Sequence, residues 1–347
     1  MQTFNDREAI KKIDPQDTLA STEQFAKQCE VAWNEVMSKK DVKRLESIKN
    51  IVFCGMGASI YGGLVVRSLE EESRTLPTEI VTGYHIPDYV DQHTLVVLTS
   101  YSGTTEETVS CAKEAMDKQA KMLIITKGGD LATFARDGNI PSYIFDGKLN
   151  PAGVPRLGNG YTILGLIGML SRLGVIVVEE KEITDAITRL HEKVSELRDA
   201  AIKDSEQFVD TIPVVIAAAH LSGNAHILRN QFNETSKTFS SYFLVPDLNH
   251  HLMEGLQAPN AMPIRFLIID SPNYEERIKR RIALTDDVIK QNKRNSFVFS
   301  TNGQTLYDDF LETLVYGSYL TLFLSLRYDQ NPAINPWVDY FKEQLKK

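Results

Sequence analysis

Short, unbroken apolar runs that stop at glycine or hydroxyl residues, each followed by a helical pattern, recur along this chain. That rhythm admits few folds. IVFCGMG (51–57) precedes a helical stretch through Leu69, and TLVVLTS (94–100) precedes one from about Glu106 to Lys118. MLIIT (122–126) and the weaker SYIF (142–145) continue the series, and Leu157–Leu173 is a glycine-spaced apolar helix that closes this half. Strands that are apolar on both faces need cover on both faces, so the alternation with helices indicates a parallel sheet between two helical layers.

The alternation then restarts. IPVVIAAA (212–219), YFLV (242–245), IRFLIID (264–270) and SFVFS (296–300) read as strands. Between and after them, Asn224 to about Thr238, Tyr274–Gln291, Tyr307–Arg327 and about Asn335–Lys346 read as helices. Ahead of both halves, Phe25, Cys29, Trp33 and Met37 stand four apart within Ser21–Ser38, one stripe of an amphipathic helix. The expected organisation is a helical segment at 1–45, an α/β domain at 46–178, a charged helical connector at 179–210 and a second α/β domain at 211–347. The length of 347 residues agrees, at about 150 residues per domain.

Lys and Arg total 38 against 46 Asp and Glu, a net charge of −8. Such a chain does not attract nucleic acid or an anionic membrane face. Cys29, Cys54 and Cys111 are odd in number and spaced for neither a disulfide framework nor a zinc site, so they read as reduced, cytosolic thiols. The N-terminus MQTFNDREAIKKIDP is too charged for a signal peptide. The apolar stretch Leu314–Leu326 is about two-thirds of the roughly 20 residues that span a bilayer. A cytoplasmic, non-membrane protein is expected.

Two strand-to-helix turns carry the chemistry. Gly55-Met56-Gly57-Ala58-Ser59 suggests a dinucleotide fingerprint, but Ile60 takes the third glycine's place, and Glu79 is read as preceding its strand instead of ending it. A nicotinamide cofactor is disfavoured, and the absence of a GxxxxGK[ST] loop argues against a P-loop nucleotidase. The second turn, Ser100-Tyr101-Ser102-Gly103-Thr104-Thr105, sets four aliphatic hydroxyls between the end of a strand and the start of a helix. Hydroxyls and unpaired amides at a helix N-terminus can wrap a phosphate without lysine. Simple N-capping is the alternative, but it needs only one hydroxyl.

GMGAS, followed about forty residues later by SYSGTTEET, resembles the sugar isomerase (SIS) domain, and in particular the bifunctional phosphoglucose/phosphomannose isomerase family with its GMGGS and SYSGNTxET. Pro155-Arg156 at the head of the apolar helix, Gln231–Lys237 (QFNETSK beside QxNENAK), Pro246–His250 (PDLNH beside PELNH) and the tail NPAINPWVDYFK ending at Lys342 extend the resemblance from about 50 to 342. It implies two tandem SIS-type, flavodoxin-like parallel-sheet sandwiches with helices on both faces. It also implies interconversion of glucose 6-phosphate or mannose 6-phosphate with fructose 6-phosphate through an enediolate, without metal or cofactor.

The same resemblance implies the roles. Gly57, Ser59, Ser100, Ser102 and Thr105 would hold the phosphate, and Glu234 would move the carbon-bound proton. Arg156 would face the oxyanion, which suits a planar and permanently charged guanidinium. His250 would open the ring and Lys342 would assist. The family's active site lies between two subunits, so a homodimer with His250 supplied across the interface is implied. Read without the resemblance, Glu234 and Lys237 are equally an ordinary helix ion pair, Arg156 a helix-start arginine, and His250-His251 a weak hint of a metal. His85, His93, His191, His220 and His226 read as structural or solvated, and Trp33 and Trp337 as core or subunit-contact residues.

Four departures stand out: Ala58 for glycine, Thr104 for asparagine, Thr235-Ser236 for Asn-Ala, and His251-Leu252 where the family continues Asn-Glu, with Glu254 one turn further on. Two rivals remain beside the isomerase. One is an SIS enzyme for another sugar phosphate, such as the isomerase half of glucosamine-6-phosphate synthase. The other is a non-catalytic sugar-phosphate regulator. Retention of Glu234, Arg156, His250 and Lys342 together favours the enzyme.

Overall fold

In a computed structural model the protein is described at residues 4, 6–40, 42–70, 76–259 and 261–347. Parts of the expected N-terminal segment (1–3, 5 and 41) lie outside the described residues. Three helices lead: α1 (Arg7–Ile13), α2 (Thr18–Glu23) and α3 (Phe25–Met37). The first α/β unit runs β1 (Asn50–Cys54), α4 (Tyr61–Leu69), β2 (Thr78–Val81), β3 (Thr94–Ser100), α5 (Glu106–Asp117), β4 (Lys121–Thr126), α6 (Gly129–Asp137), β5 (Ser142–Ile144) and α7 (Asn159–Arg172). Next comes α8 (Glu180–Asp204). The second unit holds β6 (Ile212–Ala218), α9 (Ser222–Glu234), β7 (Ser241–Val245), α10 (Leu252–Gly255), β8 (Ile264–Asp270), α11 (Glu276–Gln291), β9 (Asn295–Ser300), α12 (Leu306–Arg327) and α13 (Pro336–Leu345).

Both sheets are parallel throughout. The first has order β2-β1-β3-β4-β5 and the second β7-β6-β8-β9, so in each the first strand sits inside and the chain departs to either side of it. Doubly wound sheets of this order bind ligands at the carboxyl ends of the strands flanking that reversal. All seven residues of β3 are buried, as expected of a strand covered on both faces.

Glu79 lies inside β2, a half-exposed edge strand, and not ahead of it. Its TEIV has too little apolar residue to stand out in sequence, and pairing with β1 supplies what composition does not.

One buried cluster runs from α1–α3 through α4, α7 and α8 to α9 and α12, joining the two units, while a second fills the outer face of the first sheet under α5 and α6. Glycines let the central helices approach closely. A Cβ on Gly160 would stand 2.5 Å from the Gln28 side chain, and one on Gly223 2.7 Å from the Leu64 carbonyl. α8 packs along α12 with Ile183, Ile187, Leu190 and Leu197 inward, and Arg189 and Lys193 reach Asp308 and Glu312 at 2.7 and 2.5 Å. Among the described residues no helix is long and apolar enough to cross a membrane.

Candidate active site

The two hydroxyl-rich turns meet at the reversal point of the first sheet, one after β1 and the other after β3. Gly57 takes φ +55°, a conformation that suits glycine, and starts a short 3-10 turn over Gly57–Ile60. Ser59 reaches across, its Oγ accepting from the backbone N–H of Tyr101 at 3.1 Å. Ser100 is fully buried and braces its own loop, accepting from the Gly103 N–H at 3.0 Å with Thr105 Oγ1 at 2.8 Å. Gly103 has φ +78° and passes so near the loop after β4 that a Cβ would lie 1.8 Å from the Gly128 carbonyl oxygen. Ser102 and Thr104 point outward, exposed, and Thr105 is half-buried at the N-cap position of α5. Thr105 makes no side-chain capping bond, so the hydroxyls are not spent on capping and the first amides of α5 face the loop mouth.

The 3-10 turn Gly57–Ile60 packs against a second one, Pro155–Leu157, which carries Arg156 into the joint between the two units. This arginine is 4% exposed. Its Nε donates to Thr235 Oγ1 at 3.0 Å, its Nη2 to the carbonyls of Pro332 and Ala333, and its Nη1 stands 3.5 Å from Glu234 Oε2. Burial pulls the guanidinium's pKa down, while the Glu234 charge and Tyr61 oppose that shift. The Asn335 carboxamide, oriented to satisfy both its ends, accepts from Arg156 Nη1 at 3.1 Å and donates to the backbone carbonyl of Glu234 at 3.1 Å. Thr235, one of the departures, therefore has a physical reason: its hydroxyl aims the arginine.

Glu234 is the last residue of α9, at the negative end of the helix dipole, where a carboxylate needs a cation nearby. Arg156 is that cation. Lys237 is not placed as the helical reading expects. α9 stops at Glu234, Lys237 takes φ +53°, and its Nζ donates to the carbonyls of Thr235 (3.1 Å) and Asn331 (2.6 Å) instead of pairing with Glu234. The helical pattern in the sequence runs one turn past the true end of α9 because Thr235 and Ser236 do not signal a stop. Burial first, then the Arg156 charge, lower the Lys237 pKa to about 8 against the pull of Glu234 and Asp14.

His250 closes a 3-10 turn at the end of the segment after β7 and is exposed, and Lys342 is exposed on α13. Within one chain and among the described residues, neither makes a hydrogen bond or ion pair. His251 pairs with Asp247 at 3.4 Å, and no group of described His, Cys, Asp and Glu residues is arranged to hold a metal. Trp33 is core, whereas Trp337 is 82% exposed, and α13 has no buried residue. Sequence reasoning did not reach Asn335 or Tyr61. Asn335 lies in the NPAINPW tail that carries the resemblance, so a signal for it existed.

The second sheet repeats the reversal between β6 and β8, but there the crevice is filled from within. Asp309, fully buried on the first turn of α12, accepts from Ser271 Oγ (2.6 Å) and Asn273 Nδ2 (2.9 Å) and pairs with His220 Nε2 at 3.0 Å. A carboxylate of the chain stands where the first sheet presents open hydroxyls. A separate cleft of about 650 Å³ lies between the end of α4 and the carboxyl ends of β6 and β7, lined by Arg67, Ala219, Ser222 and Asp247 among others.

Residues 44–139 match the SIS domain family, and residues 197–345 match the bacterial phospho-glucose isomerase C-terminal SIS domain. The bifunctional phosphoglucose/phosphomannose isomerase of Thermoplasma acidophilum is 30% identical over 314 residues, covering 87% of this chain and 91% of that protein. The chain belongs to this family. The bifunctional phosphoglucose/phosphomannose isomerase of Aquifex aeolicus is 28% identical over 328 residues, covering 94% of this chain and 99% of its own. In fold, the C-terminal domain of glucosamine-fructose-6-phosphate aminotransferase from Francisella tularensis superimposes with a TM-score of 0.70 at 13% identity, covering 89% of this chain and 95% of that one. Two tandem SIS units with helices on both faces are thus the architecture.

Proposed function

We propose that the protein interconverts glucose 6-phosphate and/or mannose 6-phosphate with fructose 6-phosphate, a reading supported by relatives named bifunctional phosphoglucose/phosphomannose isomerase. The observation that carries this is the packing of the Gly57–Ile60 turn on the Pro155–Leu157 turn, with Arg156 paired to Glu234. A phosphate cradle and a carboxylate–guanidinium pair therefore share one joint. Aldose–ketose exchange needs a base for the proton moving between C1 and C2 and a cation for the enediolate oxygens.

In this reading Gly57, Ser59, Ser102 and Thr105, with the first amides of α5, take the phosphate, and Ser100 shapes the loop. Glu234 removes the proton from one carbon and returns it to the other. Arg156, held from three sides, meets the developing oxyanion without reorganising. His250, supplied by a second copy of the chain, opens the ring, and Lys342 supports it. Their exposure in one chain, together with the bare Trp337, Tyr340 and Phe341 of α13, favours such a homodimer.

A coupled assay of both hexose phosphates after chelator treatment tests the reading. Turnover of both is expected. Tight sugar-phosphate binding with turnover of neither would make the protein a sensor instead.

A further inference from the structure

Tyr61 is the first residue of α4, two positions beyond Ser59, and its side chain is fully buried where α4 packs between α7 and α9. His226, Asn230 and Glu234 follow one another at four-residue spacing along α9, one face of that helix. The Tyr61 hydroxyl lies against the Asn230 side chain, which favours its ionised form, in the fields of Glu234 and Arg156, yet among the described residues it is a buried hydroxyl with no well-formed hydrogen bond. Buried hydroxyls are rarely left without a partner, because the lost hydration is not replaced. Glu234 is correspondingly loose. Its side chain is 30% exposed, and its cationic neighbour, Arg156 Nη1, stands at 3.5 Å.

We infer that Tyr61 is a positioning residue for the proton-transfer base: its hydroxyl donates to the Glu234 carboxylate when substrate closes the site, fixing the carboxylate and holding it ionised. The inference rests on Glu234 being the base. Burial first and the Glu234 charge second push the Tyr61 pKa far up, so the phenol keeps its proton and remains a donor at every working pH. The other groups facing Glu234 are Arg156 before α7, Asn230 on α9, Lys237 after it with Asp14 behind, and Asn335 before α13, while Arg229 of α9 acts on Tyr61 itself. Among these, Tyr61 Oη and Arg229 Nε are buried donors without a well-formed hydrogen bond, and the Arg229 guanidinium lies over the Tyr242 ring, 5.3 Å from its centroid.

The bland alternative is that the ring only fills the joint between α4, α7 and α9. Phenylalanine would then serve as well, and would remove a partnerless hydroxyl.

Tyr61→Phe distinguishes the two. The full chain is assayed in both directions from pH 5 to 9, with thermal unfolding measured alongside. The variant is expected to melt no lower than the parent and to keep its KM within about twofold. Its kcat should fall about tenfold, with the acidic limb of the profile moved up by about half a unit to one unit, as loss of a donor to a carboxylate requires. An unchanged kcat and acidic limb in a folded variant would overturn the inference. Glu234→Gln, run in parallel, separates the two failures. If Glu234→Gln still turns over, the base assignment has failed. If it is inactive while Tyr61→Phe matches the parent, only the role of Tyr61 has failed.

Discussion

Arg156 Nη1 lies 3.5 Å from Glu234 Oε2, joining a turn of the first α/β unit to the last residue of a helix in the second. The guanidinium is fixed by Thr235 Oγ1 and two backbone carbonyls, whereas the carboxylate is partly free to move. In the proposed reading, a fixed cation beside the base suits enediolate chemistry.

Arg156→Lys keeps the charge but cannot serve Thr235, Pro332 and Ala333 together while also facing Glu234. Steady-state kinetics should show kcat lower by about two to three orders of magnitude with KM changed far less. Loss confined to KM would assign the arginine to ground-state binding.

Ser102→Ala with Thr105→Ala should act in the opposite manner. These hydroxyls lie on the loop mouth, and Thr105 is not engaged in capping α5. Calorimetric titration with fructose 6-phosphate should show binding weakened by about tenfold or more, with the fold intact. Unchanged affinity would remove this turn from the phosphate site.

Both α/β units were legible in the alternation of apolar runs and helices, because a strand buried on both faces announces itself. The edge strand at Thr78–Val81 was not, since half of it faces out. Ser102 and Thr105 stand out by hydroxyl density at a strand end and Ser59 only through the GMGAS resemblance, while the inward turn of Ser100 is visible only once Gly103 N–H and Thr105 Oγ1 are in place. Neither the Thr235 bond to Arg156 nor the Asn335 contacts follow from local pattern, since each spans about eighty residues or more.

Asp309 occupies the second crevice as a buried anion. Desolvation would raise its pKa, but hydrogen bonds from His220, Ser271, Asn273 and Thr301 outweigh that and hold it below the usual range. A depressed carboxyl adds stability above its unfolded pKa of about 3.9 and loses it as pH falls through the folded value. Asp309→Ala should lose about 3 kcal/mol at pH 7 in denaturant unfolding, and the difference from the parent should shrink below about pH 4. A pH-independent difference would contradict the network.

Lys237 carries the reverse sign. Its folded pKa of about 8 lies below the unfolded value of 10.5, so the unfolded chain binds more protons between them and stability rises with pH across that window. Compared with Lys237→Met, the parent should gain stability from about pH 8 to about pH 10.5. A flat difference over that range would mean that the ammonium is well solvated.

Trp337, Tyr340 and Phe341 leave an apolar surface on α13 beside Lys342. Trp337→Ser with Phe341→Ser should shift the mass measured by light scattering from dimer toward monomer and lower activity in step. Full activity in a demonstrated monomer would place His250 in its own chain's site.

The account stands on Glu234 carrying hydrogen between neighbouring carbons. Fructose 6-phosphate incubated in deuterium oxide with Glu234→Gln, followed by proton NMR, measures that step directly. Wild-type protein should label the sugar at C1 and the variant should not, while still binding substrate. Labelling at the wild-type rate by the variant would contradict the central claim.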